Sequence, residues 1–411
     1  MKLIKIIFII IAVFSSVPSL GADPLAAQCP VQFKPLYKEL DDKLEAFDKL
    51  IQSQENKNKQ IPLFAASLLT ANAHRGKQLL NPGVYEGVLL ELKRLKDLGV
   101  NAVVVSVGFP MLYRPFYASE KEYRGYLDFY KRLSRDVRAY NMKLIIESGV
   151  IFSKGGFAES EKRLSRYYKK MGLRKYVRAR AAMLVEISRQ LSPDYLSVGA
   201  EPDTEAEQSG KKLNDPKVYA RIVNYFIATL SKKSVLNMPV GSGVGTWHPR
   251  YKEFIDSFCR NTRVDFVDIH IYPVNRDFLT RAIEIAEIVK KYGKKITITE
   301  AWLYKAREEE MGKGVTVNEF FVRDNFSFWQ ELDSKFIRYI VSFSKIYGFE
   351  FISFFWTRYF FGYIDYEGTF ELTSQKINEK ANKEIAANII AGNYTSTAQS
   401  YRKSIEEASS Q

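Results

Sequence analysis

Eight short apolar runs, at 62–69, 102–107, 143–149, 195–199, 240–244, 266–271, 296–299 and 351–355, alternate with longer amphipathic segments along most of this 411-residue chain. The runs are rich in Val, Ile and Phe. The segments between them have helical periodicity: in 85–98, Val88, Leu92 and Leu95 recur at three- and four-residue spacing. Asp215-Pro216 pairs an N-cap residue with a first-turn proline. Gly99, Gly293 and Gly348 each follow a helical segment and precede a run, where a left-handed residue can stop the helix. Strand–helix alternation implies a parallel sheet. Eight repeats closed by a helix at about 375–390 predict an α/β chain folded as a (β/α)8 TIM barrel. An open doubly wound sheet would call for a glycine-rich phosphate loop after the first strand, and none is there.

The flanks divide from the barrel by composition. Residues 1–22 read as a signal peptide: Lys2 and Lys5, an apolar run from Ile6 to Phe14, then small residues at Ser19 and Gly21. Its apolar core is too short to span a bilayer comfortably, so no stable membrane insertion is expected after cleavage. The chain is therefore expected to be secreted or periplasmic. Residues 23–60 are expected as an N-terminal helical extension, packed as a lid or cap before the first strand. The barrel is expected over 61–392, with a polar Ser/Thr/Gln-rich tail over 393–411 that frays.

Charge and cysteine content narrow the partners. The formal net charge is +14, and loss of Lys2 and Lys5 with the leader leaves +12. The densest basic segment, 162–180, carries Tyr167, Tyr168 and Tyr176 but no nucleic-acid motif, so it reads as a solvated helix face. With two cysteines, neither a disulfide framework nor a multi-cysteine metal centre is open to the chain. Cys29 and Cys259 could pair in an oxidising compartment. No cofactor, resident metal or nucleic-acid partner is expected.

A barrel of this kind carries its chemistry at the C-terminal ends of its strands. All three histidines lie at or just beyond such ends: His74, His248 and His270. So do Glu147, Glu201 and Glu300. In the sixth run, Val267, Ile269 and Ile271 alternate with Asp268, His270 and Tyr272, so the polar triplet points into the barrel. Asp268, deep in the strand, fits a self-satisfied network; His270 and Tyr272, nearer the mouth, fit a site. Alternation groups Ser197, Gly199 and Glu201 on one inward face, and Ile296, Ile298 and Glu300 on another. Two carboxylates facing each other across a cavity are the minimal apparatus for glycosidic cleavage, one as acid and one as nucleophile or base.

The motifs Gly199-Ala-Glu-Pro-Asp203, His270-Ile-Tyr272, Thr299-Glu-Ala-Trp302 and Trp356, in that strand order, resemble the clan A glycoside hydrolases, the large (β/α)8 group of retaining β-glycosidases. The resemblance covers about 61–363. It implies Glu201 as general acid/base and Glu300 as nucleophile, with Tyr272 holding Glu300. It also implies that His270 contacts substrate or sets the protonation of the pair, and that Trp356 forms the floor of the cleavage subsite. One departure stands out: the asparagine usual before the acid/base is Ala200 here, with Asp203 or Asn72 as substitutes. The arginine usual near the nucleophile is to be sought at Arg75 or Arg358.

Aromatics along the predicted rim suit a sugar chain, each ring offering an apolar face. They are Phe109 to Tyr117, Trp247 with His248, Trp302 to Tyr304, and Phe360, Phe361 and Tyr363. Trp302, Trp247, His248, His74 and Arg75 join the expected substrate-binding set. The segment 305–325, with Glu308-Glu-Glu310, reads as a solvated excursion beside the cleft. Two other readings use the same barrel. A metal-dependent amidohydrolase would use His74, His248 and His270, although its usual His-x-His is Asn72-Ala-His74 here. A non-catalytic carbohydrate-binding barrel would accommodate Ala200.

Overall fold

The computed structural model describes residues 28–54, 60–153, 161–307, 310 and 322–410. The leader, and most of the acidic excursion around Glu308, lie outside the described residues. Eight parallel strands close in sequence order: β1 (Leu63–Ser67), β2 (Ala102–Ser106), β3 (Lys143–Glu147), β4 (Tyr195–Ser197), β5 (Val240–Gly245), β6 (Phe266–Ile271), β7 (Lys295–Ala301) and β8 (Phe351–Phe354), with β8 pairing back to β1. This is the predicted (β/α)8 barrel, each strand within a few residues of its apolar run.

Side-chain alternation makes two layers. Val103, Val105, Leu144, Ile146, Leu196, Val198, Val267, Ile269, Ile271, Ile296, Ile298 and Ile352 face the helices in one continuous core. Ala65, Ala102, Val104, Ile145, Phe266 and Phe351 form a separate plug inside the barrel. Parallel strands covered on both faces read as nearly unbroken apolar runs, and for that reason the sequence announces them so clearly.

Helix Lys34–Gln52 buries Leu36, Leu40, Leu44, Phe47 and Ile51 along one face. It packs on the outer helix Gln330–Tyr347: Phe47 meets Phe343, Tyr37 stacks on Trp329, and Lys335 Nζ reaches Glu45 Oε1 at 2.9 Å. The extension is therefore an added piece of the helical ring, not a lid. Its apolar stripe needs an apolar partner, and the outer helix supplies it.

The C-terminal expectation is corrected more sharply. Helix Ser374–Ala391 forms as predicted but buries only Ile377, Ala381 and Ile385. The segment read as a fraying tail forms helix Ser396–Ser409, which buries Ala398, Tyr401, Ile405 and Ala408. Tyr401 Oη donates to the Ala65 carbonyl of β1 at 2.8 Å, and its ring contacts Phe64 and Phe354. This is the helix that closes the barrel, so the packing continues past 392 to Ser409. Its Ser/Thr content supplies the cap: the Thr395 side chain accepts from the Ala398 N–H.

Cys29 and Cys259 are both free and buried, so the structure does not support the disulfide. Cys29 precedes the turn whose Phe33 packs on Phe328, at the outer helix Gln330–Tyr347; Cys259 sits on helix Tyr251–Asn261. Burial pushes both thiols up to about 11. Among the described residues, no helix is long and apolar enough to cross a membrane.

Candidate active site

The loop after β4 brings the chain from Ser197 to Glu201 in four residues and starts helix Pro202–Ser209 there. Gly199 has φ +152°, and a Cβ there would lie 2.1 Å from Tyr219 Oη, so only glycine fits. Beneath it is a buried network. Glu205 accepts from Tyr176 Oη at 2.8 Å and Tyr219 Oη at 2.7 Å, and pairs with Arg180. Arg180 also donates to the Ser148 and Val198 carbonyls, tying the ends of β3 and β4 together. Removing the cation strands Glu205 in the core. Arg180→Met should therefore cost about 3–5 kcal/mol of stability, read by urea unfolding. A loss below about 1 kcal/mol, the range of a surface pair, would contradict this role.

β6 follows the predicted alternation. Asp268, fully buried, accepts from Ser197 Oγ (3.0 Å), Thr297 Oγ1 (3.1 Å), Thr299 N (3.0 Å) and Thr299 Oγ1 (2.6 Å). It is the self-satisfied centre the sequence suggested. β7 departs from expectation. Its register against β6 slips by one residue, Asp268 opposing Thr297 but His270 opposing Glu300. Ile296 and Ile298 face the helices, and Thr297 and Thr299 face inward. Glu300 reaches the mouth because of this bulge, not because it shares a face with Ile296 and Ile298.

His270, 0% exposed, stands between the two candidate carboxylates. Its Nδ1 is 2.7 Å from Glu201 Oε1 and 3.6 Å from Glu300 Oε2. Those two oxygens, sharing one nitrogen, are thus at most about 6.3 Å apart. Nε2 lies 2.8 Å from Thr299 Oγ1. That hydroxyl gives its proton to Asp268, so its oxygen accepts from Nε2–H, and Nδ1 is the nitrogen that exchanges a proton with Glu201. Burial disfavours the imidazolium, but Glu300, Glu201 and Glu147 outweigh it and hold the His270 pKa well above the usual histidine value. Burial also works to raise Glu201, but the bond from His270 prevails and holds this carboxyl below its ordinary value. Glu300 is raised by burial despite His270 beside it.

Tyr272 Oη donates to Glu300 Oε2 at 2.7 Å. The Tyr272 ring stacks on Tyr304 at 4.7 Å, and Tyr304 Oη accepts from the Trp356 indole N–H at 3.1 Å. Glu300 and the half-buried Trp356 are thus joined through two tyrosines. On the opposite wall, the Trp247 N–H donates to Asp203 Oδ2 at 2.9 Å, and its ring lies 5.8 Å from Tyr272. A Cβ on Gly245 would fall 2.3 Å from that indole, so the glycine is what lets Trp247 lie flat against the strand. His74 feels the charge of Glu201 and donates from Nδ1 to Asn72 Oδ1 at 2.9 Å. Burial brings its pKa down to about 4, leaving it neutral, and its Nε2 has no partner.

Glu201, Glu300, His270, Tyr272, Trp356, Trp247 and His74 therefore converge on one mouth. Three expected binders do not join them. His248 is fully buried, with Nε2 2.5 Å from Asn214 Oδ1 and Nδ1 accepting from Arg250 N, so neither nitrogen is left for a substrate. Trp302 is fully buried and stacked on Tyr359. Arg75 feels the charge of the buried Glu91, and Arg358 bonds Asn325, whereas the charges that act most on Glu300 are His270 and Glu201. Phe360, Phe361 and Tyr363 are core residues. The cation beside Glu300 is His270.

Sequence reasoning noted Glu147 at a strand end but gave it no role. It lies inward at the tip of β3, opposite Ser197, its Oε1 3.9 Å from His270 Nε2. The alternation that placed Glu201 would have found it: Lys143, Ile145 and Glu147 share a face. Glu147, His270 and Glu300 each bring one possible ligand atom within 4.8 Å of the others, a group able to hold a cation. The amidohydrolase trio of His74, His248 and His270 does not assemble, because His248 is enclosed elsewhere.

Residues 192–344, which include Glu201, His270, Tyr272 and Glu300, match a family model described as glycosyl hydrolase catalytic core. That match spans less than half of the chain. The clan A resemblance of its motifs agrees with that match. The chain is similar in fold to the exo-β-1,4-mannosidase Op5Man5 from Opitutaceae bacterium strain TAV5, at 12% identity and TM-score 0.55. That likeness covers 84% of this chain but 59% of the mannosidase, so this chain spans less than two thirds of that protein's length. It is also similar to GH5_18 from Bifidobacterium longum subsp. longum ATCC 55813, at 12% identity and TM-score 0.50, over 85% of this chain and 80% of the other. At such identities the likeness is one of fold. No curated protein matches the chain in sequence.

Proposed function

We propose that this glycoside hydrolase is exported and cleaves a β-linked oligo- or polysaccharide with retention, by double displacement. One observation carries the reading: two carboxylates share His270 Nδ1, their nearer oxygens no more than about 6.3 Å apart. Retaining pairs stand roughly 5–5.5 Å apart, inverting pairs roughly 6.5–9.5 Å. Glu300, held by Tyr272, attacks the anomeric carbon, and the bond to the leaving oxygen breaks as that oxygen takes a proton from the Glu201–His270 pair. In the resting site this proton sits on His270. As Glu300 becomes an ester its charge disappears, His270 loses one of the carboxylates that hold its proton, and Nδ1 releases it toward Glu201. Water, deprotonated by Glu201, then hydrolyses the ester.

Ala200 leaves no amide beside the acid/base. Asn72 is committed to His74, whereas Asp203 keeps a buried oxygen, Oδ1, without a partner beside Glu201. Asp203 therefore takes the sugar contact that Ala200 cannot make. Trp356 and Trp247 supply the apolar walls.

The experiment is a screen of the mature chain, beginning at Asp23, against β-linked glucans, mannans, galactans and xylans. Reducing ends should appear from at least one, and the first-formed product should keep the β configuration by proton NMR. An α product would overturn retention. No release from any, with sugar binding intact, would favour the non-catalytic barrel that Ala200 also allows.

A further inference from the structure

The charged groups that face Glu147 are Glu300, His270, Asp268 and Glu201, four carboxyl groups in all around one imidazole. Three of the carboxylates are provided for. Asp268 takes four donors, Glu201 takes His270 Nδ1, and Glu300 takes Tyr272 Oη. Glu147 is left over: it is buried, and its Oε2 meets no donor. A single imidazolium cannot neutralise every carboxyl in so small a dry volume, and like charges at this range force a proton onto one of them. The group without donors is the one that must keep it.

We propose that Glu147 is a positioning residue of the hydrolase: a neutral carboxylic acid at the tip of β3 that donates its proton in a hydrogen bond to Glu300. One of its carboxyl oxygens lies within 4.8 Å of one of Glu300, so a small turn of either side chain makes that bond. The second donor to the nucleophile is then a neutral acid beside Tyr272. A neutral donor orients the attacking oxygen without adding a positive charge, whose repulsion would drive the proton off His270. Burial and the Glu300 charge raise the Glu147 pKa well above the ordinary carboxylate value. A group raised in the folded state contributes stability that is complete below its unfolded value, about 4.5, and is lost as pH climbs through the folded value. Ionised Glu147 would repel Glu300 and disorder the mouth.

The kinetic arm of the test rests on the retaining-hydrolase reading; the spectroscopic arm does not. In an infrared difference spectrum at neutral pH, wild type minus Glu147→Gln, one protonated-carboxyl band should be lost with the substitution. With an aryl β-glycoside, Glu147→Ala should lower kcat about 10–100-fold, the scale of one hydrogen bond to a charged group, with KM within about threefold. Glu147→Gln, whose amide still donates, should recover most of kcat. Its melting temperature should gain on wild type as pH rises. Absence of the infrared band overturns the proposal whatever the activity. So does Glu147→Gln losing as much kcat as Glu147→Ala while melting like wild type. If no glycoside is cleaved by any variant, the retaining reading fails alone, and the infrared band still decides the state of Glu147.

Discussion

Glu300→Gln should abolish turnover, with kcat falling on the order of 10⁶-fold, as when a covalent nucleophile is removed elsewhere. The amide keeps the size of the side chain and can still meet Tyr272 Oη, but it has no lone pair basic enough to attack an anomeric carbon. KM for an aryl β-glycoside should change little, because the walls at Trp356 and Trp247 are untouched. The substitution also removes the negative charge that contributes most to holding the proton on His270, so the pKa of that imidazole should fall. NMR titration of the ring would follow it. A variant that kept even a hundredth of wild-type kcat would remove Glu300 from the nucleophile's role.

Replacing Glu201 should produce a different signature. Glu201→Gln cannot pass the His270 proton to the leaving oxygen and cannot activate the water that follows. For a substrate with a poor leaving group, kcat should drop by about 10²–10⁴-fold, the range of general acid–base catalysis. For a substrate whose leaving group needs no proton, the first step should survive while the second stalls, so the glycosyl ester on Glu300 should accumulate and show in the intact mass. The basic limb of the pH–rate profile, which in wild type reports loss of the proton shared by Glu201 and His270, should vanish. Equal losses on both substrate types, without a trapped ester, would be inconsistent with this division of labour.

How much of this was readable from residues alone depended on local regularity. β4 and β6 keep a strict two-residue alternation, so the inward direction of Ser197, Glu201, Asp268, His270 and Tyr272 followed from period alone. β7 does not. A bulge leaves no compositional mark in Ile-Thr-Ile-Thr-Glu, where both phases look equally plausible, and Glu300 was placed inward by a wrong alternation that the slip then corrected. Trp302 and His248 failed for another reason. Proximity to a strand end says nothing of whether a side chain turns toward the mouth or down between helices, and Trp302 turned onto Tyr359. The closing helix was missed because Ser and Thr were counted as signs of fraying when they were its cap, while Tyr401 and Ile405 carried its core face.

The residue inserted in β7 has a reach beyond placing one carboxylate. Thr299 is the link in an unbroken relay from Ser197 at the barrel's waist, through Asp268 and His270, to Glu201 at the rim. Acidity at the top of such a relay answers to what happens at its foot. A change at position 197, well below the mouth, should therefore shift the pH dependence of the proposed hydrolysis while leaving the sugar-facing walls unaltered.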